Sequence, residues 1–123
     1  MKIPFIDLTT QQQKIRSEID TRIKNVLEHG KYIMGPEIEE LESVLSKRID
    51  AEYVISCGSG TDALLLALMG LQLKPGQGVI VPSFTFTASA EVMPLLGAIP
   101  IFAEVDEETF TLNPARLQDA LDS

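Results

Sequence analysis

Residues 56–64 have the sequence SCGSGTDAL, a glycine-rich segment between a β-prone run, Tyr53–Cys57, and an apolar helical run, Asp62–Met69. Such a strand–turn–helix segment leaves free backbone N–H groups at the start of the helix, where the helix dipole attracts anions. With the Thr61 hydroxyl, these groups are suited to binding a phosphate. The alternative is structural: the glycines make a tight turn, and Ser59 or Thr61 caps the helix. The segment matches neither the GxxxxGK[ST] nor the GxGxxG pattern, so an ordinary nucleoside triphosphate loop is disfavoured.

Two further β-prone runs alternate with helices downstream. Val79–Val81 is the first, and Ile99–Val105 follows a helix predicted over about Thr87–Leu96. A last helix is predicted after Asn113. Parallel neighbours need long connections, usually helices, so three strands separated by helices predict an α/β fold with parallel pairing. Because the helix at residues 62–69 is apolar nearly all round, we expect it to be buried on several sides.

The N-terminal part of the chain predicts two amphipathic helices. An apolar stripe with helical spacing covers Ile15–Leu27, and its helix should end near Gly30. Pro36 suits the first position of a second helix, whose first turn is acidic and whose last turn is basic. We therefore expect a helical arm over residues 1–35 and an incomplete α/β unit over residues 36–123.

Two phenylalanines lie where the second predicted strand passes into its helix. Phe84 and Phe86 belong to the stretch SFTFTASA, residues 83–90. Ligands of parallel α/β sheets bind at the carboxyl ends of the strands, and this loop and the glycine-rich turn both follow predicted strands. One loop would bind a phosphate while an aromatic of the other stacks on a flat ring, which suits a planar phosphorylated cofactor. The alternative is that both phenylalanines are core residues at strand spacing.

Composition narrows the classes of function. The 123 residues are 45% hydrophobic and 23% charged, which is typical of a globular chain. A net charge of −8 with scattered basic residues argues against nucleic acid and anionic lipid as partners. No apolar run is long enough for a membrane span, and the N-terminus lacks a signal-peptide pattern, so we expect a cytoplasmic protein. Cys57 is the single cysteine, and the acidic cluster within residues 104–108 is expected to be a solvated turn, so no metal site is expected.

Several segments together resemble the DegT/StrS-type sugar aminotransferases of the fold type I pyridoxal-phosphate superfamily. They occur in the order and at the spacing of that family, and they extend over nearly the whole chain. They are PFIDL at residues 4–8, GKYIMGPE at 30–37, SGTDAL at 59–64, PSFTF at 82–86, LGAIP at 96–100, and the stretch from Val105-Asp106 to Leu112-Asn113-Pro114. By this resemblance the chain corresponds to the N-terminal part of the family's cofactor-binding large domain, a mostly parallel sheet with flanking helices, preceded by a helical arm.

The resemblance implies a site for pyridoxal 5'-phosphate. It assigns Gly60, Thr61 and Asp62 to the cofactor phosphate, through the backbone amides of Thr61 and Asp62 and the Thr61 hydroxyl. It places Phe86 against the pyridine ring and Met34 near the substrate. The lysine that forms the family's Schiff base, and the carboxylate that pairs with the pyridinium nitrogen, are expected beyond the end of this chain. No catalytic residue is therefore expected within it.

The implied activity is transfer of an amino group from an amino acid, commonly glutamate, to a nucleotide-linked keto sugar in polysaccharide or amino-sugar biosynthesis. The implied enzyme is a homodimer, and a fragment without the lysine should be inactive by itself. Two alternatives remain. One is a sugar dehydratase of the same fold, in which histidine replaces the lysine. The other is a noncatalytic binding or regulatory protein on the same scaffold.

Overall fold

The computed structural model describes residues 4–122, and its contacts divide the chain into two compact units. The first unit ends at Ser56, and the second begins at Cys57. The sequence predicts a boundary after residue 35, whereas the helix that starts at Pro36 belongs to the same unit as the helix before it. The boundary after residue 35 stays a prediction.

The first unit contains two helices, α1 (Leu8–His29) and α2 (Pro36–Ile49). Asp7 caps α1 by accepting a hydrogen bond from the Thr10 backbone N–H at 2.9 Å. Gly30 ends α1 with a φ of 67°, a left-handed conformation that glycine adopts without a Cβ penalty. Pro36 occupies the start of α2, where its missing N–H removes no helical hydrogen bond. Both predicted helices are thus confirmed.

Polar side chains join α1 to α2. Arg22 donates two hydrogen bonds to the Glu40 carboxylate, at 2.7 and 2.9 Å. His29 Nδ1 accepts from the Lys31 N–H at 3.0 Å, so the ring proton is on Nε2, which donates to Glu37 Oε1 at 3.0 Å. The bond from His29 lowers the pKa of the Glu37 carboxyl. Because these pairs are exposed to solvent, they position the helices while adding little to stability.

The segment after α2 is not a strand, which corrects the expectation for Tyr53–Cys57. A strand requires a neighbour for its backbone hydrogen bonds, and no strand in the described part of the chain pairs with this segment. Instead, the N–H and the hydroxyl of Ser56 both donate to Glu42 Oε1 at 2.8 Å. The bond from the Ser56 backbone lowers the pKa of the Glu42 carboxyl. A side chain on α2 therefore satisfies a backbone group that a neighbouring strand would otherwise bind.

The described residues of the second unit form a parallel β–α–β arrangement flanked by two more helices. In chain order the elements are α3 (Gly60–Gly70), β1 (Gly78–Pro82), α4 (Ala88–Leu95), β2 (Ile99–Ala103) and α5 (Pro114–Leu121). β1 and β2 pair in parallel from Gly78 with Ile99 to Pro82 with Ala103, and α4 connects them. Asn113 Oδ1 caps α5 by accepting from the Ala115 N–H at 2.9 Å. These elements confirm the α/β class.

The core of the second unit lies between α4 and the two strands. Val81, Val92, Met93 and Ala98 are buried, and Val92 is only 1% exposed. Partly buried apolar residues pack against this cluster, namely Leu65, Leu68, Leu73, Val79 and Ala90. Burial of apolar surface contributes about 25 cal/mol per Å² and is the main stabilising term. The core therefore holds β1 and α4 in place, together with the loop between them.

Helix α3 is less buried than its composition predicts. Leu65 and Leu68 pack against the core, whereas Leu64, Leu66 and Met69 are 42%, 49% and 53% exposed. The expectation of burial on several sides is wrong for this chain, because α3 packs chiefly on α4 within residues 4–122. α3 has only 11 residues, and none of the described helices is both long and apolar enough to cross a membrane.

Gly97, which connects α4 to β2, gives a test of this packing. Its φ is 71°, and an added Cβ would lie 3.1 Å from Pro75 Cβ. Gly97→Ala should lower the free energy of unfolding by about 1–2 kcal/mol, the cost of a left-handed residue with a side chain. Gly70→Ala is the matched control, because a Cβ there has no atom within 4 Å. Denaturant unfolding should show the control to be neutral or stabilising by up to about 1 kcal/mol; equal losses in both variants would contradict this account.

Candidate active site

The glycine-rich turn leads directly into α3, and its helix cap is Ser59. Ser59 Oγ accepts from the Asp62 N–H at 3.1 Å, and the Ser59 carbonyl oxygen accepts from the Ala63 N–H at 3.0 Å. The Cys57 thiol donates to the same carbonyl oxygen at 3.3 Å. The sequence left Ser59 and Thr61 as alternative caps, and the structure selects Ser59. The Thr61 side chain is therefore not used for capping.

Two amides and one hydroxyl remain available at the start of α3. The N–H groups of Gly60 and Thr61 and the Thr61 hydroxyl have no hydrogen-bond partner within the described part of the chain. An added Cβ at Gly60 would have no atom within 4 Å, so the space beside this backbone is open. Free amides at the positive end of a helix dipole, next to a free hydroxyl, bind anions. The residues present therefore fit a phosphate group.

Asp62 is less suited than Gly60 and Thr61 to binding a phosphate. Its N–H already donates to Ser59 Oγ, so this amide is not free to bind a phosphate in the present geometry. Its carboxylate is exposed in the first turn of α3, where a negative charge stabilises the helix but repels a nearby anion. A direct contact between Asp62 and the cofactor phosphate stays a prediction.

Phe84 and Phe86 lie in the loop after β1, and the alternative that they are core residues is wrong. Phe84 is 67% exposed and Phe86 is 77% exposed. The Phe84 ring lies against the Phe110 ring, with 5.7 Å between centroids and 43° between planes. The Phe86 ring has no aromatic neighbour among the described residues, while its carbonyl oxygen accepts from the Ser89 N–H at 3.0 Å. Of the two rings, Phe86 is the one free to stack on a flat ligand.

Parallel pairing brings the carboxyl ends of β1 and β2 to one edge of the sheet. There the Ser83 N–H donates to the Ala103 carbonyl oxygen at 2.8 Å, and the Ser83 hydroxyl donates to Glu104 Oε2 at 3.1 Å. Val105 then forms an isolated antiparallel bridge with Leu112. The predicted strand over Ile99–Val105 thus ends at Ala103, and the loops that follow the two strands are joined to each other.

The acidic residues after β2 shape a turn. Asp106 Oδ1 accepts from the Glu108 N–H at 3.1 Å and from the N–H and hydroxyl of Thr109 at 3.0 and 3.1 Å. These bonds, that from the Thr109 backbone most strongly, lower the pKa of the Asp106 carboxyl. Within residues 4–122, no group of His, Cys, Asp and Glu side chains is arranged to hold a metal ion. The Asp106 carboxylate instead satisfies the backbone of its own loop.

Met34 belongs to the first unit, in the connection between α1 and α2. Its φ is 49°, which is uncommon for a residue with a long side chain, and that side chain is 70% exposed. The connection is tight, because an added Cβ at Gly35 would lie 2.5 Å from the Lys31 carbonyl oxygen. Backbone strain at an exposed residue is compatible with a functional role. Contact between Met34 and the substrate stays a prediction.

Sequence reasoning missed Phe110 altogether. Its φ is 57°, and its ring is the partner of Phe84. The residues before it, DEET at positions 106–109, have the composition of a turn. Turn composition does not reveal which ring an aromatic at the end of the turn will contact, so the sequence carries no specific signal for this pair.

Comparison with known proteins relates this geometry to one family. A sequence model of the DegT/DnrJ/EryC1/StrS aminotransferase family matches residues 13–123. The chain is 48% identical over 119 residues to the UDP-2-acetamido-2-deoxy-3-oxo-D-glucuronate aminotransferase of Pseudomonas aeruginosa. That alignment covers 97% of this chain and 33% of the relative.

Solved structures of the family have the same fold. A DegT/DnrJ/EryC1/StrS aminotransferase from Brucella abortus is 43% identical with a TM-score of 0.90, over 95% of this chain and 31% of the other. NtdA from Bacillus subtilis, solved with bound cofactor PMP, is 33% identical with a TM-score of 0.86, over 97% and 28%. The chain therefore spans about a third of the length of the relatives it matches.

The comparisons confirm the expected fold, since these neighbours are fold type I aminotransferases and this chain is a partial α/β domain of that type. The family uses pyridoxal phosphate, and the unpaired amides at the start of α3 fit the phosphate of that cofactor. Because the family match extends from residue 13 to residue 123 and the solved relatives superpose over nearly the whole chain, this chain belongs to the DegT/DnrJ/EryC1/StrS aminotransferase family.

Proposed function

We propose that this chain is the phosphate-binding part of an enzyme that transfers an amino group from glutamate to the keto group of a nucleotide-linked sugar. The observation that carries the proposal is the start of α3, where the Gly60 and Thr61 amides and the Thr61 hydroxyl are unpaired among the described residues. Pyridoxal phosphate, when bound, supplies the electron sink that amino transfer requires. The residues of this chain hold and orient it.

The phosphate cup consists of uncharged donors. The Gly60 and Thr61 amides and the Thr61 hydroxyl donate to the phosphate oxygens, and the positive end of the α3 dipole favours the negative charge. Hydrogen bonds to an ionised acceptor are roughly twice as strong as neutral ones. Ser59 keeps the first turn of α3 in place through its bond to the Asp62 N–H at 3.1 Å. The cup therefore fixes the phosphate end of the cofactor.

Phe86 orients the ring end. Its side chain is 77% exposed and is free to lie flat on a pyridine ring. Its backbone is held at the start of α4 by the bond from the Ser89 N–H at 3.0 Å. A stacked aromatic covers one face of the ring, limits its tilt and excludes water from that face.

The sugar is the less defined partner. Met34, exposed in the connection between α1 and α2, contacts it in this proposal. The Pseudomonas aeruginosa relative is named for a UDP-linked 3-oxo sugar acid, and its 48% identity makes a UDP-linked 3-keto sugar the first substrate to test. We also propose a cytoplasmic location for the enzyme, which fits a role in the metabolism of UDP-linked sugars like that named for its relative.

Two alternative functions would use the same phosphate cup. A dehydratase of this fold would remove a hydroxyl from the sugar, and a noncatalytic relative would bind without turnover. The 48% identity to a protein named as an aminotransferase favours amino transfer over both alternatives.

The activity is tested with the whole protein, pyridoxal phosphate, L-glutamate and a UDP-linked 3-keto sugar. Amino transfer should release one 2-oxoglutarate for each amino sugar formed. Mass spectrometry of the sugar separates the outcomes, because amination replaces the keto oxygen with nitrogen, whereas loss of a hydroxyl gives a sugar product that contains no added nitrogen. Absence of 2-oxoglutarate with every UDP- and dTDP-linked keto sugar tried would overturn the proposal.

The phosphate cup is tested by measuring the melting temperature of the whole protein at increasing concentrations of pyridoxal phosphate. Thr61→Ala removes a charge-assisted hydrogen bond worth about 1.5–3 kcal/mol, so cofactor affinity should fall roughly tenfold or more. Phe86→Ala should also weaken binding, through the lost stacking. Asn113→Ala is the control, because loss of the α5 cap, outside the cup, should lower stability by about 1 kcal/mol equally with and without cofactor. If Thr61→Ala behaves like Asn113→Ala, the assignment of Thr61 is wrong.

We further propose that the whole protein is a homodimer. The groove between α1 and α2, about 540 Å³, has an apolar floor in which Ile23, Leu41 and Val44 are 54%, 49% and 53% exposed. Val26 also lines it, together with the charged residues Arg22, Glu37 and Glu40. Apolar surface of this kind is commonly covered by a partner. Light scattering should give twice the mass of one chain, and a fully active monomer would refute the dimer.

A further inference from the structure

The loop after β1 carries two aromatic rings whose surroundings differ. The Phe84 ring has an aromatic partner, Phe110, at 5.7 Å between centroids and 43° between planes. The Phe86 ring, two residues later, has no aromatic partner within residues 4–122. The tilted geometry at this separation is favourable for aromatic pairs. Phe84 is thus tied to the loop after β2, while Phe86 is left available.

Phe110 is held in its position by its own loop. The Phe110 N–H donates to the Asp106 carbonyl oxygen at 2.8 Å, and the Asp106 N–H donates to the Thr111 carbonyl oxygen at 2.9 Å. The Asp106 carboxylate binds the N–H groups of Glu108 and Thr109 at 3.1 and 3.0 Å. Phe110 keeps a φ of 57° in this frame, a backbone that disfavours a large side chain. The loop therefore specifies the position of this ring.

The other contacts of the loop after β1 lie on both sides of Phe84. Ser83 is bound to the Ala103 carbonyl oxygen and to Glu104 Oε2 at 2.8 and 3.1 Å. After Phe84, the Thr85 hydroxyl lies 3.1 Å from the Ser89 hydroxyl, and the Phe86 carbonyl oxygen accepts from the Ser89 N–H. Between these contacts, Phe84 is fixed by the Phe110 ring. Removal of that ring would leave Phe84, two residues before Phe86, without its aromatic contact.

We propose that Phe110 is a positioning residue for the cofactor site: it holds Phe84 and thereby sets the backbone from which Phe86 stacks on the cofactor ring. This inference rests on the proposed function, in which Phe86 covers the pyridine ring. Phe110 itself touches neither cofactor nor substrate, so its effect passes through the loop.

The test uses the whole protein with Phe110→Ala and Phe110→Tyr, the second of which retains the ring. In cofactor-free protein, hydrogen exchange of peptides that cover residues 83–88 should rise in Phe110→Ala and stay near wild type in Phe110→Tyr. The dissociation constant for pyridoxal phosphate should rise roughly two- to tenfold in Phe110→Ala, the range expected for loss of an aromatic pair. Phe84→Ala removes the same pair from the other side and should give a similar shift, and the double variant should add little to either.

Several outcomes would overturn the inference. If Phe86→Ala weakens cofactor binding but Phe110→Ala changes neither binding nor exchange, the inference fails and the proposed role of Phe86 stands. If Phe86→Ala leaves binding unchanged, the role of Phe86 and the inference fall together. Additive effects of Phe84→Ala and Phe110→Ala would show that the two rings act separately. If Phe110→Ala does not fold, Phe84→Ala and Phe110→Tyr supply the same comparison.

Discussion

The parallel pairing of β1 with β2 is the constraint on which the second unit depends. Two parallel strands must be joined by a crossover, and α4 provides it, with Val92 and Met93 buried against the strands. The same pairing places both carboxyl ends at one edge of the sheet. The loop that carries Phe86 and the loop that carries Phe110 are therefore neighbours by topology, and the bonds of Ser83 only refine an arrangement that the strands impose.

Features with local causes could be predicted from the sequence. The end of α1 at Gly30 and the start of α2 at Pro36 depend on the conformational properties of single residues, and both are confirmed. The expectation of a strand at Tyr53–Cys57 was wrong because a strand requires a hydrogen-bonded neighbour. Neither of the described strands, β1 or β2, pairs with this segment. The exposure of α3 could not be predicted for the same reason. An apolar composition indicates that a helix is stabilised by burial, but it does not show which elements pack against it.

The candidate site likewise combines features with local causes and features that depend on contacts between distant residues. Unpaired amides at the start of α3 follow from a glycine-rich turn before a helix, so Gly60 and Thr61 could be named in advance. The choice of Ser59 as the cap, which occupies the Asp62 amide, depends on side-chain geometry that the sequence leaves open. Phe84 and Phe86 differ in whether their rings have an aromatic partner, and that partner is Phe110. Phe110 lies 26 residues after Phe84 in the sequence, so only the fold brings these two rings together.

The left-handed backbone at Phe110 lowers the stability of its loop, whereas the Phe110 ring orders the loop that carries Phe86. Glycine or asparagine adopts a φ near 57° more readily than phenylalanine, so either would relax the loop that Asp106 organises. The same change would delete the ring that contacts Phe84. A variant selected only for thermal stability could thus accept the substitution and lose order in the loop of Phe86. Stabilisation and site order are opposed at this one residue, a trade-off of the kind found where strain serves a binding site.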